Sequence, residues 1–374
     1  MTIGILKETN DKRVVMLPEV VASLIKMNVN IIVEKGAGDA SFFVDQHYQE
    51  VGAQTVSKEE VYASADLIAK VNPFTEEELQ QVKPGQAIIA VLNPLADKPL
   101  VEELVKRNIT SFGLDIVPRT TRAQAMDILS SMATVAGYKA VLTAANNLPK
   151  FFPMFMSAAG TIKPAKVLIL GAGVAGLQSI ATARKLGAVV EVFDVRAAVK
   201  EEVMSLGGKF VEVEGATDDK AAGGYAVEQT EEYKAKQQQA IHNAAIKANA
   251  IICTAQIPGK AAPVLIPAST VNEMQPGALI IDLASSTGGN CELTKDNETI
   301  VHNGVTIIGN SNLAADMPTD ASRMFGKNVF NFLQLIINKE GNMHIDFEDD
   351  IVKGTCVTHD GKIISDRVKT FLNL

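Results

Sequence analysis

Residues Gly171–Gly176 read GAGVAG and follow directly on the apolar run KVLIL, Lys166–Leu170. This feature restricts the fold more than any other in the chain. A first glycine that permits a tight turn, a second that lets backbone N–H groups approach a pyrophosphate and a third that lets the next helix pack closely belong to a strand–turn–helix unit. Phosphates then sit at the helix N-terminus, where unpaired N–H groups and the helix dipole favour negative charge. The helical pattern that follows gives way to VVEVFD, which ends at Asp194, eighteen residues beyond Gly176. A carboxylate there can accept hydrogen bonds from the adenosine ribose of a dinucleotide. It also repels a 2′-phosphate, so NAD(H) is favoured over NADP(H). The alternative reading of Asp194 is a simple strand-end turn residue. Arg196, two residues later, would reverse the preference if it turned inward; its ordinary place is in solvent.

The alternation of short apolar strands and amphipathic helical stretches extends in both directions, the pattern of parallel α/β sheets. TIGIL, NIIVEKG, DLIAKV, AIIAVLN and TSFGLDIV form a first series; KVLIL, AVVEVFD, GGKFVEVE, NAIICTA, GALIIDLA and VTIIG form a second. Each series has enough strands for a whole sheet. The expected fold is therefore α/β, with two Rossmann-like, doubly wound parallel-sheet domains separated by a cleft. Helical stretches from about residue 127 to 146 and from about 322 to 337 can join them. The expected division places residues 1–127 and 313–374 in an N-terminal domain to which the chain returns, and 128–312 in the dinucleotide-binding domain. Pro18 reads as a first-turn helix proline.

Composition sets the outer limits. The 374 residues are 47% hydrophobic and 21% charged, without tryptophan, and suffice for two ordinary cores. No uninterrupted apolar run reaches the roughly 18 residues of a membrane span, and the opening MTIGILKETNDK lacks the order of a secretory signal. A cytoplasmic protein with no membrane span of its own is expected. A formal charge of -8 argues against nucleic acid. Cys253, Cys291 and Cys356 have no paired spacing for a metal or a disulfide framework and read as buried small residues. His47, His302, His344 and His359 fall in polar, turn-like surroundings and His242 in a charged helix, poor places for a general acid. The segment VEGATDDKAAGGYAVEQTEEYKAKQQQ is either a surface loop or a flap that closes on the nucleotide with Tyr225 as its contact residue.

Thr121–Ser131, TRAQAMDILSS, places Arg122, Gln124, Asp127 and two serines just after a strand. Thr121 and Gln124 have the T-x-x-Q spacing of a capping box, and Asp127 then supplies first-turn negative charge. Spacing alone favours that structural reading.

In order along the chain, KETNDKRVVMLP, IAKVN, RAQAMDILSSMATVAGY, GAGVAG with FDVR, CTAQIPGKAAPVLI and IDLASSTGGN resemble the alanine dehydrogenase and nicotinamide nucleotide transhydrogenase superfamily over almost the full length. In the alanine dehydrogenase branch an arginine and a lysine hold the substrate carboxylate, with a histidine and an aspartate at the reacting carbon. Arg13 and Lys70 stand at the first two positions, but Asn93 and Ser286 replace the histidine and the aspartate. Neither replacement can shuttle a proton at neutral pH.

The transhydrogenase branch passes hydride directly from NADH to NADP+ and needs no proton in the site, only placement of two rings. The chain is similar to its NAD(H)-binding component. The resemblance implies Arg119, Gln124, Asp127 and Ser130 beside the nicotinamide. It implies Gly171, Gly173, Val174, Ala175, Gly176, Asp194, Val195, Arg196, Gly224 and Tyr225 as the remaining cofactor contacts. It further implies a homodimer, an NADP(H)-binding partner component, a membrane component that carries the proton path, and a location peripheral to the cytoplasmic membrane through those partners. An amino-acid dehydrogenase of the alanine dehydrogenase type and a non-catalytic NAD-binding regulatory protein are the alternatives.

Overall fold

A computed structural model describes residues 1–213, 230–257 and 259–373. Gly224 and Tyr225 lie outside the described residues. The chain divides into two units, Met1–Met132 with Ala315–Leu374, and Ala133–Ala314.

The first unit opens with strands β1 (Thr2–Ile5), β2 (Asn30–Glu34), β3 (Gln54–Val56), β4 (Leu67–Ala69), β5 (Ala87–Ala90) and β6 (Thr110–Gly113). The second contains a hairpin, β7 (Phe155–Ser157) and β8 (Gly160–Ile162), then β9 (Lys166–Leu170), β10 (Val189–Phe193), β11 (Lys209–Phe210), β12 (Ala250–Cys253), β13 (Leu279–Asp282), β14 (Thr299–His302) and β15 (Val305–Gly309). The return to the first unit adds β16 (Cys356–His359) and β17 (Lys362–Ile363).

Both sheets have the doubly wound order. In the first, β3-β2-β1-β4-β5-β6 run parallel, and β16 and β17 extend the β6 edge antiparallel. In the second, β11-β10-β9-β12-β13-β15 run parallel and β14 is antiparallel at the edge. The order reverses between β1 and β4 and between β9 and β12. At such a reversal an open α/β sheet takes its ligand, outside the carboxyl ends of the strands.

Parallel strands covered on both faces must be apolar on both sides, and β12 and β13 are buried at every residue. In the first unit, Ile3, Ile5 and Ile89 pack against Leu24, Phe325, Val329 and Phe332 of the Pro18–Ile25 and Pro318–Ile336 helices. Ile32, Ile68 and Ile88 pack on the other face against Val61, Leu79 and Leu104. In the second, Val167, Ile169 and Ile252 meet Ala140, Ala144 and Ile180, while Leu168, Ile251 and Ile280 meet Ile241, Ala245 and Val271. Pro18 occupies the first turn of its helix.

The Ile128–Asn147 helix begins in the first unit and continues in the second. Among the described residues it is the one helix long and apolar enough to cross a membrane by length and composition. Ile128 lies in the first unit's core, and Ala136, Ala140, Val141 and Ala144 lie in the second's. With 39% of its apolar stretch buried, it is a connecting helix that gives side chains to both cores.

No side chain separates the Val174–Lys185 helix from its supports. A Cβ at Gly176 would lie 1.9 Å from the Gly171 carbonyl oxygen, and one at Gly137 would lie 2.2 Å from that of Ala175. Ser179 Oγ donates to the Gly137 carbonyl at 3.0 Å across the same contact. Gly137→Ala must therefore push two helices apart. Equilibrium urea unfolding should show a loss of about 1–3 kcal/mol, the range for overpacking; an unchanged midpoint would mean that this contact is not held.

Candidate functional site

The second unit builds its site at the carboxyl end of β9. Gly171 has φ +100, a left-handed conformation, and a Cβ there would lie 2.6 Å from Thr254 Oγ1. Gly173 is the N-cap of the Val174–Lys185 helix, no side chain caps that helix, and a Cβ built on Gly173 meets nothing within 4 Å. Val174 and Ala175 form the first turn. A backbone cradle results, with room above Gly173 and uncapped first-turn amides, and it fits a phosphate group.

Asp194 follows β10 and is buried. Its Oδ2 accepts from Ala172 N–H at 2.7 Å, so the carboxylate braces the glycine turn as well as ending the strand. The solvated Arg196 expected from sequence is not what the fold contains. Arg196 folds back on Asp194, donating from its backbone N–H at 2.8 Å and its Nε at 2.9 Å to Oδ1, and from Nη2 at 2.8 Å to Oδ2. These bonds raise the Arg196 pKa. The physical reason is local: a carboxylate two residues away, removed from water, is a stronger partner than solvent. With four donors in place, Asp194 has no free acceptor direction while Arg196 stays. Beside the pair is a slot of about 140 Å³ lined by Phe193, Val195, Ala197, Lys200, Val211 and Tyr233. Its apolar walls and charged rim suit a flat heteroaromatic ring attached to a sugar.

On the first unit, the Pro118–Asp127 loop is pinned inward by Ala123 and Met126, both buried in the core. Its outer side is held by polar bonds: Ala125 O accepts from Asn328 Nδ2 and Asn331 Nδ2, each at 2.8 Å. Arg122 reaches Asp349 at 2.6 Å and Asp350 at 2.5 Å. Arg119 and Gln124 are exposed, and Asp127 and Ser130 are half-buried. The Thr121–Gln124 capping box does not form. Gln124 opens a short 3-10 turn, Gln124–Met126, whose N-cap is Ala123 without a side-chain bond, and the threonine that bonds the backbone is Thr120, through Oγ1 to Ala123 N–H at 3.3 Å. Capping falls instead to Asp127, which accepts from Ser130 N–H at 2.9 Å and Ser130 Oγ at 2.6 Å at the start of the Ile128–Asn147 helix. A shift in where the helix begins moves the cap from Thr121 to Asp127. The Gln124 amide is left outward, free of any cap.

Arg13 and Lys70 are buried and already paired. Arg13 donates to Asp11 at 2.5 Å, and Lys70 to Glu78 at 2.7 Å. Burial pushes the Asp11 and Glu78 carboxyls up, and their cationic partners more than reverse it, leaving both below the usual range. Glu8, spent on Val71 N–H and the Asn72 amide, is raised by burial. Asn93 sits at φ +50 in a turn, with its N–H on Asp115. Three histidines belong to regular elements, contrary to their turn-like sequence surroundings: His47 accepts from Val44 N–H inside a helix, and His302 and His359 end strands. The three cysteines are buried and free. Among the described residues no group of His, Cys, Asp or Glu could hold a metal ion.

Sequence reasoning missed Thr254, Asp282 and Asn290, which line the carboxyl ends of β9, β12 and β13. The available signal was Asp282 at the end of GALIID, the same strand-end position as Asp194.

Two family models match, the N-terminal domain of alanine dehydrogenase/PNT over residues 4–136 and the C-terminal domain over residues 140–366. The chain is 45% identical to an NAD(P) transhydrogenase subunit alpha chain of Rhodospirillum rubrum, over 97% of this chain and 98% of that one. It is 27% identical to alanine dehydrogenase of Mycobacterium tuberculosis, over 100% and 97% of the two chains. The crystal structure of transhydrogenase from Sinorhizobium meliloti superposes with a TM-score of 0.89 at 37% identity, covering 97% of this chain and 100% of that one.

The Asp194–Arg196 pair generates a test of nucleotide choice. On the ribose role expected of Asp194, Asp194→Ala removes the acceptor and frees a guanidinium for a 2′-phosphate. In fluorescence titrations NADH affinity should fall roughly 10- to 100-fold, the worth of a charge-assisted bond, and NADPH should gain on it. Adding Arg196→Ala should cancel the NADPH gain. Equal NADH and NADPH affinities in the unaltered chain would remove Asp194 from this role.

Proposed function

Since the chain belongs to the alanine dehydrogenase/PNT family, we propose that it is the NAD(H)-binding component of a transhydrogenase, passing hydride between NADH and NADP+ held by a partner component. The observation that carries this reading is the pair Asn93 and Ser286, neither of which can transfer a proton at neutral pH. Ring-to-ring hydride transfer requires none. Arg13 and Lys70 carry internal carboxylates, which weighs against a 2-oxo acid as substrate.

NAD(H) supplies the nicotinamide carbon that carries the hydride, and the residues of this chain bind and orient it. The uncapped amides at Gly173–Gly176 take the pyrophosphate. The slot with Val195 and Tyr233 takes the adenine, and Asp194 takes the ribose hydroxyls once the Arg196 side chain moves aside. Arg119, Gln124, Asp127 and Ser130 hold the nicotinamide. Among them Gln124 is the adaptable one, because its amide offers a donor and an acceptor to the carboxamide while Asp127 and Ser130 are tied to each other. Gly224 and Tyr225 complete the contacts in this reading. The NADP(H)-binding component and a membrane component supply the second nucleotide and the proton path, and the chain is held at the cytoplasmic face of the membrane through them.

A homodimer is part of the proposal. The β7–β8 hairpin pairs with no other strand among the described residues, and a lone two-stranded hairpin is at best marginal in water. It leaves Phe155 and Met156 46% and 74% exposed, beside an open groove of about 500 Å³ lined by Phe151, Phe152, Pro153 and Leu186. A second copy covers this apolar face.

Mixing the chain with membranes that contain the partner should produce hydride exchange between NADPH and an NAD analogue. NADH oxidation by pyruvate and ammonium with the chain alone would establish the dehydrogenase reading instead. Gln124→Ala sharpens the test. Its binding determinants at the glycine turn and Asp194 are intact, so NADH affinity should stay within a few-fold, and stability should change by less than about 0.5 kcal/mol at an exposed position. Hydride transfer should fall on the order of 100-fold, the penalty for a misplaced ring. Normal turnover by this variant would exclude Gln124 from the nicotinamide site. Replacing Phe155 and Met156 together by serine should shift light-scattering mass from dimer to monomer.

A further inference from the structure

The chain leaves β12 into a segment whose described residues, 254–257 and 259–265, belong to no strand or helix. Its late residues Ala262 and Leu265 are buried, but Gln256 and Ile257 at its start are exposed. Thr254 continues the β9–β12 ladder through its N–H on Leu170 O, Gln256 Nε2 donates to Leu283 O at 3.1 Å, and between them Ala255 is held by the side chain of Asn290, which is itself wholly buried. Asn290 Oδ1 accepts from Ala255 N–H at 2.9 Å, and Nδ2 donates to Ala255 O and to Pro263 O, both at 2.8 Å. Both polar groups of the Ala255 backbone are thus satisfied, as a neighbouring strand would satisfy them. The Asn290 backbone adds to the grip, its carbonyl accepting from Leu265 and Ile266 N–H at 2.8 and 2.9 Å.

Asn290 is in turn placed by Asp282, the last residue of β13. Asp282 Oδ2 accepts from Asn290 N–H at 2.8 Å, Cys291 N–H at 3.0 Å and Thr294 Oγ1 at 2.7 Å, and Oδ1 accepts from Ala284 N–H at 3.0 Å. Gly289, at φ +82, lets the loop close over this carboxylate, since a Cβ there would lie 2.8 Å from Oδ2. At the other end, Thr254 N–H donates to Leu170 O at 2.8 Å, and Thr254 Oγ1 lies 3.0 Å from the Gly171 carbonyl oxygen to which it donates. A continuous polar chain therefore runs Asp282, Asn290, Ala255, Thr254, Gly171.

The sheet order gives this polar chain its meaning. β10, with Asp194, lies on one side of β9, and β12 and β13 lie on the other. A dinucleotide whose adenosine is at Asp194 and whose pyrophosphate is at the glycine turn extends its second half over the ends of β12 and β13. We propose that Asn290 is a positioning residue for hydride transfer: by clamping Ala255 to the glycine turn through Thr254, it fixes the backbone on which the nicotinamide half of the cofactor rests. This rests on the NAD(H) reading above. Hydrogen bonds fix position directionally, which apolar burial does not. Being buried, Asn290 acts on the cofactor only through Ala255 and its neighbours.

Asn290→Ala removes three bonds, Thr254→Val removes the hydroxyl at nearly constant volume, and Thr254→Ser keeps it. Each is assayed in the full chain for AMP affinity, NADH affinity, melting temperature and hydride exchange with partner membranes. AMP, which occupies only the adenosine half, should bind within twofold of the unaltered chain. The maximal hydride-transfer rate should fall roughly 30- to 100-fold in Asn290→Ala and Thr254→Val, as for a ring displaced by about an ångström, and recover in Thr254→Ser. A lowered melting temperature with an unchanged rate in the folded protein would make the clamp merely structural and overturn the proposal. So would loss of AMP and NADH affinity in equal measure. If Asn290→Ala does not fold, the Thr254 pair decides. No hydride exchange by the unaltered chain, with NADH bound, overturns the transhydrogenase reading itself, whereas normal exchange in Thr254→Val overturns only the clamp.

Discussion

The side-chain-free contact between the Val174–Lys185 helix and its supports is the constraint from which the second unit's chemistry follows. At Gly176 the helix comes so close to the Gly171 carbonyl that only hydrogen fits, and at Ala175 it meets Gly137 in the same way. Backbone held against backbone leaves no rotamer to adjust. The first-turn amides are therefore fixed with respect to β9, and a helix dipole is useful to an anion only over the first turn. The neighbouring strands reinforce the same few atoms, β10 through Asp194 on Ala172 N–H and β12 through Thr254 on the Gly171 carbonyl. Groups aimed and paid for during folding need no rearrangement when charge arrives.

The α/β class and the doubly wound sheets were legible because a parallel strand covered on both faces can be written only as a near-continuous apolar run. AIIC, LIID and KVLIL are such runs, and no helix period fits them. Strands lacking that double burial escaped. β3 buries only Val56 of three residues, β14 alternates exposed and half-buried residues, and β7 and β8 are exposed throughout. Their pairing depends on a neighbour distant in sequence, so local pattern carries little of it. The candidate site follows the same rule. GAGVAG and Asp194 announce themselves locally, because each glycine answers a steric need within five residues. The partners of Arg196 and Asp127 do not, since T-x-x-Q and D-x-x-S are equally good caps and only the packing of Ala123 and Met126 decides where the helix starts.

Three buried carboxylates show how environment sorts residues of one type into different tasks. Asp282 takes four neutral donors and no cation, so nothing can be exchanged without uncovering a buried charge. Asp11 faces Arg13 with both partners almost wholly removed from water; breaking such a pair by removing one member costs roughly 3–5 kcal/mol, which makes it part of the framework. Asp194 differs because its guanidinium partner is still 26% exposed. Arg196 can leave toward solvent and be rehydrated. Of the three, only Asp194 can trade partners.

That trade bears on affinity. Charge-assisted bonds contribute about 1.5–3 kcal/mol each, whether from the Arg196 guanidinium or from ribose hydroxyls to the same ionised carboxylate. In the proposed NAD(H) site one kind of bond replaces the other at Asp194. There the ribose would add selectivity, because a 2′-phosphate would meet the carboxylate's charge, while the pyrophosphate at the glycine turn would supply most of the binding energy. A component that passes hydride, as proposed, must release its oxidised product after every transfer and works best with such a division. Tighter uniform binding of the nucleotide would lower the concentration needed for saturation without lowering the barrier, and it would slow release. In that reading Arg196, paired with Asp194 as the structure shows, would hold the buried carboxylate neutralised between turnovers while Asp194 braces the glycine turn through Ala172 N–H.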